Sequence, residues 1–196
     1  MQYLDIDYLD KIKIISEPIS TPKRVTKEEI KETIKYFKGN KNYKQIKALV
    51  LLGANSGLRA QELYQLQQGD IDIEARTVYI NHNRDKGQST KTGRSRISFF
   101  TEHARVALNE YISEFCNGFR LEHLFGKYHL EQLFKDAPIR VKDLRKAFSQ
   151  EWTKKGGNYA VKEILMGHSI KKSVDLQYYT ILTNEELKRV YDKIMR

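Results

Sequence analysis

The apolar spacing of this chain changes period once and then changes back, and that double switch limits the folds open to it. Thr26-Lys27-Glu28-Glu29 has the form of a helix start, with Thr26 as the cap and Glu29 at the third helical position. Ile30, Ile34 and Phe37 follow at helical spacing, and Ile46, Leu49, Val50 and Leu52 mark a second helix over residues 44–56. Ser56-Gly57 breaks that helix, and residues 58–66 restart it. At Thr77-Val78-Tyr79-Ile80 the residues become β-prone, and residues 89–100 read as a hairpin turning near Thr92-Gly93. Helical spacing then returns, through Ala107, Leu108, Tyr111, Ile112 and Phe115, then Val141, Leu144, Ala147 and Phe148, then Val161, Ile164 and Leu165. Trp152 falls on the helix that follows Arg145 and is expected in the core. A last amphipathic helix over 184–195 opens after Thr183 or Asn184, with Glu185 and Glu186 near its positive end. The expected fold is mainly α with a small three-stranded antiparallel sheet near residues 76–100.

Residues 1–25 stand apart. Tyr3, Leu4, Ile6, Tyr8 and Leu9 are too few for a domain, and Glu17-Pro18-Ile19-Ser20-Thr21-Pro22-Lys23 reads as a linker because its prolines exclude regular helix and strand. The expected organisation is an N-terminal arm and linker at 1–25 and one domain at 26–196, and 196 residues are enough for one good core. Cys116 is the sole cysteine, so an intramolecular disulfide and a Cys-rich zinc site are excluded. Its spacing makes it a small buried hydrophobe on a helix. No apolar run reaches membrane-spanning length and no signal-peptide pattern opens the chain. A cytoplasmic-type, reducing compartment and no membrane partner are therefore expected. Lys and Arg number 35 against 25 Asp and Glu, a net charge of +10, which points to a polyanionic partner, most often nucleic acid.

Residues 55–62, Asn-Ser-Gly-Leu-Arg-Ala-Gln-Glu, set Arg59 just past a glycine at the head of a helix. Far downstream come Lys142-Asp143-Leu144-Arg145, then Gly167-His168, then Tyr178-Tyr179. Breaking a phosphodiester with a side-chain nucleophile needs that nucleophile, donors for the non-bridging oxygens, and an acid for the leaving 5′ oxygen. Tyrosine, with a free pKa of about 10, needs nearby cations to expose its phenolate. Arginines suit the phosphate because each guanidinium donates two parallel hydrogen bonds.

On these words, in this order, the chain resembles the catalytic domain of the tyrosine recombinases, the group of phage integrases and Xer-type resolvases, over about residues 22–196. Ser56-Gly57-Leu58-Arg59-Ala60-Gln61-Glu62-Leu63 resembles the family's first-arginine motif. The resemblance implies that Arg59 binds the scissile phosphate and that Glu62 braces the site. Thr90-Lys91-Thr92-Gly93 resembles the hairpin that carries the catalytic lysine, making Lys91 the general acid. Lys142-Asp143-Leu144-Arg145 occupies the place of the His-x-x-Arg box, so Arg145 becomes the second phosphate arginine. Leu165-Met166-Gly167-His168-Ser169 resembles the Leu-Gly-His motif, so His168 contacts the phosphate. Lys142 departs from the histidine most members carry; it can donate to a phosphate oxygen but is a poor base near neutral pH. Lysine there resembles the archaeal virus integrases and hints at an archaeal or viral mobile element.

For the nucleophile, Val174-Asp175-Leu176-Gln177-Tyr178-Tyr179 resembles the archaeal form in which the second ring position reacts. That favours Tyr179, with Tyr178 as the alternative; either implies an insertion near residues 170–173. The resemblance further implies a 3′-phosphotyrosine intermediate formed without metal, ATP or other cofactor, double-stranded DNA as partner, and a homo-tetramer on DNA. Plainer readings stand beside these. Lys86, Arg94 and Arg96 are alternative backbone-tracking cations, His168 is a possible helix cap, and His82, His103, His123 and His129 are structural. The last helix docks either on a neighbouring subunit or on its own domain. Full recombinases carry an N-terminal clamp domain, and only a short arm precedes the linker here. A catalytic fragment or split-gene product is thus expected, with salt-sensitive DNA binding. The rival functions are an inert DNA-binding remnant and a type IB topoisomerase-like relaxing activity.

Overall fold

The computed structural model describes residues 23–115, 122–168 and 182–196. Tyr178, Tyr179, Cys116, residues 170–173 and the N-terminal arm up to residue 22 lie outside the described residues. Within them run helices α1 (Lys27–Tyr36), α2 (Tyr43–Ser56) and α3 (Ala60–Tyr64), strands β1 (Ile71–Asp72), β2 (Thr77–Ile80) and β3 (Arg96–Phe99), and helices α4 (Glu102–Phe115), α5 (Lys127–Leu133), α6 (Val141–Lys154), α7 (Tyr159–Met166) and α8 (Asn184–Met195). The class is the expected one, mostly helical with a small antiparallel sheet.

Helix α2 is the axis of the fold. Ile46, Ala48, Leu49, Val50, Leu52, Gly53, Ala54 and Ser56 are all buried, so it is enclosed on nearly every side, as an almost uniformly apolar helix requires. It packs between α4 and α6. A Cβ on Gly53 would lie 2.7 Å from Leu144 Cδ1 of α6, so glycine is what lets these two helices approach. The Thr26–Glu29 capping box opens α1 as its sequence predicts. Val25, just ahead of it, is buried in the core, and its N–H donates to Gln150 Oε1 at 2.8 Å.

The sheet differs from expectation in one strand. β2 pairs with β3, but the third strand is β1, paired as Ile71 with Val78 and Asp72 with Thr77, and not the incoming arm at 89–92. The turn at 90–93 does form: Gly93 N–H donates to Thr90 O, and the Thr90 hydroxyl both donates to Arg94 O and accepts from Arg94 N–H. Apart from a single antiparallel bridge between Asn83 and Gln88, the arm before it is held by side chains instead of a ladder. Thr90 N–H donates to His82 Nδ1, and the Gln88 amide reaches the buried Asp70 carboxylate at 2.6 Å. Asp70 also accepts from Asn81 and from Gln67 N–H, which pins the chain entering β1. Helix α5 also has no counterpart in the sequence reading; Leu130 is its buried contact.

A second core joins the sheet to the C-terminal helices. Phe99, Phe148, Trp152, Leu165, Met166, Leu187, Tyr191 and Met195 pack together. The apolar stripe of α8 is therefore covered by its own chain, and two polar ties fix it: Arg76 grips Asp192 with two hydrogen bonds of 2.7 Å, and Tyr191 Oη donates to Asn55 O at 2.8 Å. Arg76 holds φ of +50° at the end of the β1–β2 turn, an uncommon conformation for a side-chain-bearing residue.

Candidate active site

Two helix ends meet where the second core adjoins α2, and the meeting point is built of carbonyl groups and arginines. The last carbonyls of any helix lack partners within it and carry partial negative charge. At the end of α2, Gly57 turns the chain with φ of +69°; a Cβ there would also strike the Phe148 ring at 2.6 Å. The α2 terminal carbonyls are taken in sequence: Asn55 O by Tyr191 Oη, Ser56 O by Ser98 Oγ at 2.7 Å, and Gly57 O by Arg145 Nη1 at 2.7 Å. Helix α7 ends in a Schellman turn, with Gly167 at φ of +70°, Gly167 N–H donating to Ile164 O and His168 N–H to Glu163 O. The three carbonyls that this turn leaves free each receive an arginine. Arg96 Nε donates to Leu165 O at 3.0 Å, Arg145 Nη1 to Met166 O at 2.8 Å, and Arg59 Nη2 to Gly167 O at 3.3 Å.

Glu62 ties these cations together. Its buried carboxylate accepts from Arg59 N–H at 2.7 Å and from Arg59 Nη1 at 3.0 Å. It also takes a bidentate pair of 2.9 and 2.8 Å from Arg96. Burial pushes the Glu62 pKa up, but the hydrogen bonds and charges of Arg96 and Arg59 outweigh it and hold the carboxyl below its usual value. Arg145 is brought down to about 10, first by burial and then by the repulsion of Arg59, partly offset by Glu62, which still leaves it charged at neutral pH. Its outward Nη2 lies 2.7 Å from His168 Nε2, and His168 Nδ1 lies 2.6 Å from Glu163 Oε2. Three arginines face two carboxylates here, Glu62 and Glu163, which leaves one positive charge for an anion.

The structure thus brings Arg59, Glu62, Arg145 and His168 together from α3, α6 and the turn after α7. Lys91 and Lys142 do not join them. Both are exposed, and among the described residues neither side chain makes a hydrogen bond or ion pair. Lys91 sits on the 90–93 turn braced by His82, and Lys142 borders an open groove with Lys23, Lys135, Arg140 and Lys146. Two contributors escape the sequence reading. Arg96, read there as a backbone-tracking cation, is an internal partner of Glu62. Glu163 lies outside the family motifs, although a carboxylate five residues before His168, across a glycine helix stop, is a legible signal.

Residues 23–133 match the phage integrase family, and the chain belongs to that family. The match ends ahead of Arg145 and His168. Longer likeness covers them: tyrosine recombinase XerA of Thermococcus onnurineus is 27% identical over 199 residues, 94% of this chain and 67% of that protein. Tyrosine recombinase XerA of Saccharolobus solfataricus is 30% identical over 156 residues, 76% of this chain and 50% of that protein. This chain thus spans half to two thirds of those relatives. In fold it is similar to a crystal structure of XerA recombinase, with TM-score 0.61 and 21% identity over 91% of this chain and 65% of that one. The Tn1549 transposon integrase in complex with circular intermediate DNA gives TM-score 0.58 and 21% identity over 92% of this chain and 67% of that one. No helix among the described residues is long and apolar enough to cross a membrane.

Proposed function

We propose that this chain is the catalytic part of a site-specific DNA recombinase that cuts and rejoins strands through a 3′-phosphotyrosine. The observation that carries the reading is the convergence of Arg59, Arg145 and His168, from three separate parts of the chain, around two helix ends. Arg145 spends one nitrogen on Gly57 O and Met166 O, which fixes the guanidinium plane and turns Nη2 outward. A phosphodiester seated there would replace the His168 contact on that nitrogen and neutralise the remaining positive charge. Preorganised donors of this kind stabilise charge that develops on the non-bridging oxygens.

In the reaction the Tyr179 phenol gives up its proton to solvent, its oxygen attacks phosphorus, the bond to the 5′ oxygen breaks, and Lys91 protonates that oxygen as it leaves. Religation reverses these steps, so the bond energy is conserved. Lys91 rides an exposed turn, a suitable carrier for an acid that closes on its substrate only when DNA is bound. Lys142 adds a phosphate contact at the edge of the basic groove, double-stranded DNA is the partner, and four copies assemble on two sites.

The test is a nicked suicide duplex carrying a candidate site, with covalent protein–DNA adduct as the readout. The wild type and Tyr178→Phe should form adduct and Tyr179→Phe should not. Loss in Tyr178→Phe alone would transfer the nucleophile to Tyr178. No adduct on any duplex would leave an inert DNA-binding remnant, and relaxation of plasmid lacking a site would mark a topoisomerase-like activity.

A further inference from the structure

Glu163 has no role in the reaction just described, yet it is built into the site. It stands three residues before the last residue of α7, and the Schellman turn carries the chain back so that His168 N–H meets Glu163 O at 3.0 Å. The two side chains then meet as well, Nδ1 to Oε2 at 2.6 Å, with the Glu163 side chain only 12% exposed. A carboxylate only accepts, so Nδ1 carries a hydrogen. The opposite edge of the ring, Nε2, lies 2.7 Å from Arg145 Nη2. A guanidinium only donates, so Nε2 presents its lone pair. Together the two contacts admit a single tautomer.

We propose that Glu163 is the positioning residue of His168, holding the imidazole as its Nδ1–H tautomer with Nε2 turned onto Arg145, where the phosphate is to bind. The proposal rests on the reading of Arg145 and His168 as phosphate ligands. In the other tautomer an Nε2–H would confront the N–H groups of Arg145. Once a phosphate oxygen takes the Arg145 donor, Nε2 is released from its role as acceptor. Glu163 keeps Nδ1 occupied, so Nε2 is the edge left facing the anion, which a ring nitrogen contacts only as an N–H donor.

The experiment reads the tautomer without DNA. In ¹⁵N-labelled protein, two-bond ¹H–¹⁵N correlation of the His168 ring, assigned by its absence in His168→Gln, should show the Nδ1–H pattern. Glu163→Gln, whose amide oxygen still accepts, should keep that pattern, and Glu163→Ala should lose it. In single-turnover cleavage of the suicide duplex, Glu163→Ala should be slower by about tenfold to a hundredfold, the scale seen when the partner that orients a metal-bound histidine is removed. Glu163→Gln should recover part of that loss, and Glu163→Ala should cost nothing further in a His168→Ala background. A wild-type Nε2–H pattern, an unchanged pattern in Glu163→Ala, or additive losses would each overturn the proposal. If Glu163→Ala fails to fold, the wild-type spectrum decides alone. Absence of adduct from every variant would sink the recombinase reading but leave the tautomer result to judge Glu163.

Discussion

The cations of this chain fall into two regions that differ in how much geometry is settled before a ligand arrives. Arg59, Arg96 and Arg145 are held by backbone carbonyls at two helix ends and by a buried carboxylate. Lys91 and Lys142 stand on the surface with no partner among the described residues. A lysine side chain carries about 2 kcal/mol of rotamer entropy, which must be surrendered when it engages. The arginines have already lost theirs on folding. The clustered cations therefore help close the fold before any ligand arrives, whereas the exposed ones make no side-chain contact that the fold depends on.

The sharpest break of that comparison is Arg145→Ala. Adduct formation should fall by about a thousandfold, the scale of losing a preorganised oxyanion donor. The melting temperature should fall with it, because Gly57 O and Met166 O lose their donor, at about 1–3 kcal/mol for each buried group left unmade. Loss of cleavage with unchanged melting, measured side by side, would show that the capping bonds carry no stability.

Glu62→Gln attacks the same cluster from its anionic side and should destabilise it by about 3–5 kcal/mol, as when one partner of a buried ion pair is removed. Its pH dependence follows from the lowered carboxyl. A depressed folded-state pKa gives stability that is full above the unfolded carboxyl value and is lost as pH falls through the folded value. Wild-type melting should therefore drop through the acid carboxylate range, and the Glu62→Gln curve should be flatter there. Thermal melts stepped down in pH check both, and equal slopes would deny Glu62 its pairing role.

The exposed pair sharpens the contrast from the other side. Lys91→Ala and Lys142→Ala should each change stability by less than about 0.5 kcal/mol, as surface substitutions do. Lys91→Ala should slow cleavage by about a hundredfold, and a bridging 5′ sulfur, which leaves without a proton, should restore it. Lys142→Ala should leave the chemical step nearly intact and lower the slope of log affinity against log salt by about one. A large melting shift in either lysine variant would erase the distinction between the two regions.

Legibility in the sequence divided along similar lines. The Thr26 capping box, the Gly57 helix stop and the apolar faces of α2, α6 and α8 depend on residues a few positions apart, and each forms as read. The arm at 89–92 reads as a strand by composition but is not one, because Gln88 and Thr90 find side-chain partners in Asp70 and His82, 18 and 8 residues away. Arg96 read as a surface cation for the same reason. Its partner Glu62 lies 34 residues away, and local spacing carries no record of such a pair.

The sequence by itself determined the class of fold, the family, and the short words that hold Arg59, Arg145 and His168, since helix stops and motif residues are written in neighbouring positions. Tertiary structure alone decided which cations became fixed. Only folding brings the ends of α2 and α7 together, and only there do unpaired carbonyls and the Glu62 and Glu163 carboxylates exist to hold arginine and histidine in place. It also decided that α8 lies on its own domain, because the pocket for Tyr191 is assembled from β3, α2 and α6, elements that the sequence of α8 cannot specify.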